Sequence, residues 1–133
     1  MTTVFADTSY FVALLSPTDV RHAAARAVGD KLRSRLVTTD YVLVELASLF
    51  SGTGDRGLFV RVIQALRGDD DVEIVPASSR LFDDGLALYA SRADKQWSLT
   101  DCVSFVLMKD RGISDALSTD HHFEQAGFRI LLS

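Results

Sequence analysis

The sequence predicts an α/β protein in which helices cover both faces of a parallel, five-stranded sheet. Short apolar runs of strand length alternate with longer runs of helical period along the whole chain. Strands separated by helices are joined by right-handed crossovers, and these crossovers bury a parallel sheet from both sides. The composition agrees: 47% of the 133 residues are apolar and 24% are charged, a globular balance of single-domain size. Residues 1–133 therefore read as one domain.

Thr3–Ala6 (TVFA) forms the first strand, followed at once by a short helix around Tyr10–Leu15. A second helix, from about Asp19 to Arg35, brings Ala23, Ala27, Val28 and Leu32 near one face. Leu36–Thr38 is the second strand. Tyr41–Phe50 is apolar nearly all round, the mark of a buried helix. SGTGDRG breaks the pattern with three glycines and leads into a helix around Leu58–Leu66. Val72–Val75 is the third strand, closed by Pro76. Two helices follow, Ser79–Ala93 and Leu99–Arg111, and Gly112 stops the second. Ala116–Ser118 and Phe128–Leu132 are the last strands, with a short helix between them. Ligand sites of such sheets form outside the carboxyl ends of the strands.

The bulk properties exclude several classes. No apolar run approaches the roughly 20 residues that span a bilayer. The N-terminus lacks the basic region and small-residue cleavage site of a signal peptide, and is read as part of the fold. The single Cys102 forms no intrachain disulfide and lies in the apolar stretch CVSFVLM, as a small buried hydrophobe does. These features point to the cytoplasm. A net charge of −4 argues against a coat that grips phosphate by charge alone. It leaves room for an enzyme whose acidic residues surround bound cations, which reverse the local sign.

Four carboxylates carry the chemistry. Asp7 directly follows the first strand and Asp120 the fourth, so a parallel sheet delivers both to one edge. Asp101 opens a helix near that edge. Each aspartate alone is also a natural helix cap, and Ser98-x-x-Asp101 resembles a capping box. Glu45 shifts the balance, because its helical neighbours are apolar on every side and an unpaired buried carboxylate costs several kcal/mol. Pairing with an Arg, or neutral hydrogen bonding, are the structural alternatives. A metal site shared by Asp7, Glu45, Asp101 and Asp120 explains the set more simply. Hard oxygen ligands without a His₃ or Cys cluster favour Mg²⁺ or Mn²⁺ over zinc. Such an ion activates water for attack on phosphorus, which is phosphodiester hydrolysis.

The ordered series F-A-D-T-S, the Glu in an apolar helix, L-T-D-C and S-T-D-H-H-F resembles the PIN domain family. More narrowly, it resembles the VapC-type toxins of toxin–antitoxin pairs, over essentially the whole chain. The resemblance implies a three-layer α/β/α fold with a twisted sheet and Mg²⁺- or Mn²⁺-dependent endoribonuclease activity on RNA. It also implies a homodimer and a protein antitoxin that covers or distorts the site. Asp7 and Asp101 are expected as direct metal ligands. Glu45 and Asp120 are expected to act through water or to complete a second ion's shell. Thr8, Thr100 and Thr119 are candidates for the hydrogen bonds that orient the carboxylates.

Other residues carry a weaker signal. His121 and His122 fit a structural role, since hydrated Mg²⁺ needs no His as base. Trp97 reads as a packing anchor or as a platform for a nucleobase. The helix ending at Arg35 carries Arg21, Arg26, Lys31, Arg33 and Arg35 against Asp30, either a solvated face or a wall that steers RNA. The D-D-D run at Asp69–Asp71 reads as a solvated turn. Among rival functions, a haloacid-dehalogenase-like phosphatase needs a second Asp two residues after the first, where Ser9 stands. A non-catalytic interaction domain gains nothing from a buried Glu45. A PIN nuclease of RNA maturation, without an antitoxin, is not separable from a toxin on this sequence.

Overall fold

The computed structural model describes residues 2–132 and holds a five-stranded sheet in the order β3-β2-β1-β4-β5, every pairing parallel. In chain order the elements are β1 (Thr3–Ala6), α1 (Thr8–Leu15), α2 (His22–Lys31), β2 (Arg35–Thr39) and α3 (Asp40–Leu49). They continue with α4 (Arg56–Arg67), β3 (Val72–Val75), α5 (Ser79–Ser91), α6 (Leu99–Arg111), β4 (Asp115–Leu117), α7 (His121–Gln125) and β5 (Arg129–Ile130). The chain winds outward from β1 through β2 to β3, then returns to build β4 and β5 on the other side. The connections therefore leave β1 and β4 in opposite directions, and a crevice opens at their carboxyl ends.

Both faces of the central strand are covered: Val4, Phe5 and Ala6 are all buried although successive side chains point to opposite faces. The chief covering helix is α6, buried from Asp101 through Phe105 and again at Leu107 and Met108. Its start is fixed by the expected capping box, with both reciprocal Ser98–Asp101 bonds formed, and its end by Gly112 in the left-handed conformation. Helix α5 packs closely on α6, and a Cβ at Gly85 would overlap the Val103 side chain and lie 3.1 Å from Val103 Cα. An aromatic cluster pins α7 and the loop before α6 to the sheet, with Phe105 edge-on to both Phe123 and Trp97 at 4.9 and 5.1 Å. Cys102 is buried in this layer as expected.

Two helices differ from the sequence reading. The second helix ends at Lys31, and Arg35 already belongs to β2, opposite Thr3 of β1. Pairing of Leu36 and Val37 with both β1 and β3 draws the chain into the sheet and overrides the local helical charge pattern. Within α2 the buried residue is Ala25, whereas Ala23 and Ala27 face solvent. Helix α3 is not buried all round: Val42, Leu43 and Leu46 face the core, while Val44 is 67% and Leu49 61% exposed. One helix face contacts the body, so the surplus apolar residues turn outward.

Candidate active site

Three hydrogen-bonding steps bring the acidic residues to the crevice between β1 and β4. The backbone N–H of Asp7 donates to the carbonyl of Leu117 at 3.1 Å, joining the ends of the two central strands. Asp7 then caps α1 and turns its carboxylate inward, where only 4% of the residue is exposed. Its Oδ2 accepts from Ser9 Oγ at 2.8 Å and from Ser118 Oγ at 3.0 Å. Asp101 serves as the third residue of α6: its Oδ2 accepts from the Ser98 N–H at 3.1 Å and lies 3.2 Å from His122 Nδ1. Asp120 caps α7 through a 2.9 Å bond from the His122 N–H, and its Oδ1 is 3.3 Å from His122 Nδ1. The capping reading of the aspartates holds, and it is compatible with a shared site, since a cap places a carboxylate at a helix start and these helix starts line one edge.

A cleft of about 290 Å³ holds Asp7, Glu45, Asp101 and Asp120 on its walls, with Thr8, Ser9 and Asp19 among them. Glu45 reaches it from the middle of α3 and is half-buried, not sealed among apolar neighbours as the sequence implied. The buried carboxylates are Asp7 and Asp101, Asp7 the more deeply. Burial pushes the Asp7 pKa from an ordinary 3.8 up to about 6; Ser9 and Ser118 oppose the rise and the charge of Asp101 adds to it. Asp101 is also raised, chiefly by burial and further by Asp120, with the Ser98 and His122 contacts pulling it back. Among the described residues, no Lys or Arg forms an ion pair with any of the four carboxylates.

This donor set fits a hard divalent cation. It supplies carboxylate oxygens from four separate elements, a concentration of negative charge that a bound cation relieves. Thr8 lines the same wall, and its Oγ1 is buried with no hydrogen-bond partner among the described residues, an orphaned polar atom beside the carboxylates.

A PIN domain family model matches residues 4–129, so its match takes in Asp7, Glu45, Asp101 and Asp120 together. This chain belongs to the PIN domain family. Its relatives include the 23S rRNA-specific endonuclease VapC20 of two Mycobacterium tuberculosis strains. Each is 27% identical over 126 residues, which is 94% of this chain and 95% of the relative. The crystal structure of Mycobacterium tuberculosis VapC20, described as a Sarcin-Ricin loop cleaving toxin, superposes with a TM-score of 0.85. That match is 26% identical over 94% of this chain and 95% of the other. The narrower resemblance to VapC-type PIN domains is thus upheld.

Several sequence expectations about the PIN site are corrected. Serines 9 and 118, not the threonines, orient Asp7; Thr119 contributes only its backbone N–H, to Ser9 Oγ at 3.0 Å. Trp97 is buried against Phe105, donates to Gln125 Oε1 at 3.0 Å and carries the Arg92 guanidinium on its face, so no nucleobase stacks there. The basic wall shrinks, because Arg33 turns to the Asp30 and Leu32 carbonyls and Arg35 lies 3.8 Å from Glu73 at the opposite edge. Asp19, a fifth carboxylate in the cleft, was read only as the start of a helix; its Oδ1 accepts the Arg21 N–H at 2.8 Å.

Proposed function

We propose that this chain is a metal-dependent endoribonuclease, the toxin of a toxin–antitoxin pair, formed by a single domain over residues 1–133. The observation that carries the reading is the convergence of Asp7, Glu45, Asp101 and Asp120 on one cleft with no Lys or Arg paired to them among the described residues. Asp7 and Asp101, the two most buried, would hold Mg²⁺ or Mn²⁺ directly. Glu45 and Asp120, more open to solvent, would complete the shell or hold a second ion. The cation lowers the pKa of water and stabilises charge on the leaving oxygen of a phosphodiester. Ser9 and Ser118 fix the Asp7 carboxylate, and the Ser98 cap with His122 fixes that of Asp101, so the ligands need no reorganisation when the cation enters.

The similarity to VapC20 supports RNA as substrate and makes 23S rRNA the first one to test. Among the described residues no helix is long and apolar enough to cross a membrane. That observation suits a cytoplasmic nuclease acting beside a protein antitoxin, with the homodimer of the family resemblance as the working assembly. The deciding experiment incubates the purified chain with total RNA and with ribosomes, in Mg²⁺ or Mn²⁺ and again in EDTA. Discrete cuts that vanish with EDTA support the proposal. Intact RNA in both metals, from protein that melts cooperatively, defeats it.

A further inference from the structure

In the proposed hydrolysis His122 only positions Asp101 and His121 takes no part, although both histidines, at the start of α7, stand against Asp120. His122 Nδ1 is 3.3 Å and His121 Nδ1 3.8 Å from the same Asp120 Oδ1. The second separation is too long for a hydrogen bond. The rings lie 4.7 Å apart at 52°, so they are not stacked face to face. Asp120, His121 and His122 together present one oxygen and two nitrogens, all three ligand atoms within 4.8 Å of one another. Two ligands each about 2.1 Å from a tetrahedral centre stand about 3.4 Å apart. The two measured separations bracket that value.

We propose that Asp120, His121 and His122 form a further cation site, one that prefers Zn²⁺ to Mg²⁺ and Mn²⁺, at the rim of the acidic cleft. Imidazole nitrogen favours zinc over Mg²⁺ and Mn²⁺, and the divalent affinity order favours zinc again. Solvent reaches the position, since the His121 side chain is 70% exposed and that of Asp120 29%. Solvent or a cleft oxygen completes the tetrahedron. The consequence for the nuclease rests on the function proposed above. Zinc held here takes Asp120 out of the acidic set. It also takes His122 Nδ1 away from Asp101 Oδ2, where it now lies at 3.2 Å. Two of the four carboxylates are disturbed by one ion, so Zn²⁺ opposes cleavage supported by Mg²⁺.

The test uses the full chain without a histidine tag, in excess Mg²⁺. Zn²⁺ uptake is read by competition with a chromophoric chelator, and Co²⁺ is substituted so that its visible absorption reports tetrahedral nitrogen ligation. Wild type is expected to take up one Zn²⁺. His121→Ala, at an exposed position that leaves the core intact, should lose at least about tenfold in Zn²⁺ affinity and lose the Co²⁺ bands, with its melting temperature and its Mn²⁺ response unchanged. Zinc should inhibit wild-type cleavage and spare that of His121→Ala. Equal Zn²⁺ affinity in the two proteins, or no uptake beside excess Mg²⁺, overturns the site. Zinc uptake without inhibition overturns the antagonism. The binding measurement uses no RNA, so a protein that captures zinc but cuts nothing fails the nuclease proposal and not this one.

Discussion

At the amino edge of the sheet, carboxylates are met by guanidinium groups. Arg111 holds Glu73 with two bonds of 3.0 and 2.8 Å, Arg35 stands 3.8 Å from the same Glu73, and Arg129 holds Asp115 at 3.0 and 2.8 Å. At the carboxyl edge, Asp7 and Asp101 are more buried, yet they receive serine hydroxyls, a cap N–H and one imidazole. Pairing pulls the Glu73 pKa down, while burial pushes those of Asp7 and Asp101 up. The amino edge even has the larger hollow, about 450 Å³ against about 290 Å³. Cavity size would choose the amino edge. Charge without a Lys or Arg partner marks instead the carboxyl edge, where the proposed cation would sit, and paired charge marks the amino edge.

The sharpest way to break this contrast is to neutralise one carboxylate at each edge. Asp7→Asn or Asp101→Asn should lower RNA cleavage by about three decades or more, because a lost ligand forfeits several kcal/mol of charge stabilisation. Single-turnover assays with Mn²⁺ measure it. Asp7→Asn should at the same time stabilise the metal-free protein at neutral pH, since it removes a buried ionised group. Glu73→Gln should differ on both counts, with cleavage unchanged and stability slightly lowered. Cleavage that survives both aspartate variants would return the carboxyl edge to a purely structural role.

Acidity supplies the next test. A folded-state pKa of about 6 against an ordinary 3.8 means that folded Asp7 keeps its proton longer than unfolded Asp7 does. The associated stability is complete below about pH 4 and is lost as pH passes 6. The difference of about two pH units corresponds to about 3 kcal/mol. Urea unfolding in EDTA at several pH values should show this loss, and Asp7→Asn should flatten it. Millimolar Mn²⁺ should restore stability at pH 7.5 and do much less at pH 5, because the cation binds the ionised cleft of the folded protein. A metal-free protein equally stable at pH 4.5 and 7.5 would remove the electrostatic basis of the site.

What the sequence disclosed follows the range of the interactions involved. Helix α6 was legible to the residue because Ser98, Asp101 and Gly112 are signals read within the helix itself. Asp7 and Asp120 were legible because a strand end and a helix start are adjacent in the chain. Glu45 was found for the wrong reason: its apolar neighbours do not reveal which face α3 turns inward, and that choice depends on contacts with other elements. Ser9 and Ser118 meet across 109 positions at 3.1 Å, and Asp19 joins the cleft through the fold of its loop. No local pattern encodes either. The move of Arg35 from helix to strand has the same origin, since strand pairing with β1 and β3 decided it.

The smallest expected effect tests the other half of the contrast. Arg111→Met cuts the two-bond grip on Glu73 but leaves Arg35 nearby, and the Glu73 side chain is 33% exposed. Such a pair contributes at most about 1 kcal/mol after screening by solvent. Because the pairing lowers the Glu73 pKa, the contribution is present above the ordinary glutamate range and is lost as pH falls through the lowered value, opposite in sign to Asp7. The denaturant midpoint of Arg111→Met should therefore fall below that of wild type at pH 7.5, the gap should narrow as pH is lowered, and cleavage should be untouched. A large loss of cleavage in Arg111→Met would mean that the amino edge is coupled to the site, and that charge compensation alone does not separate the two edges.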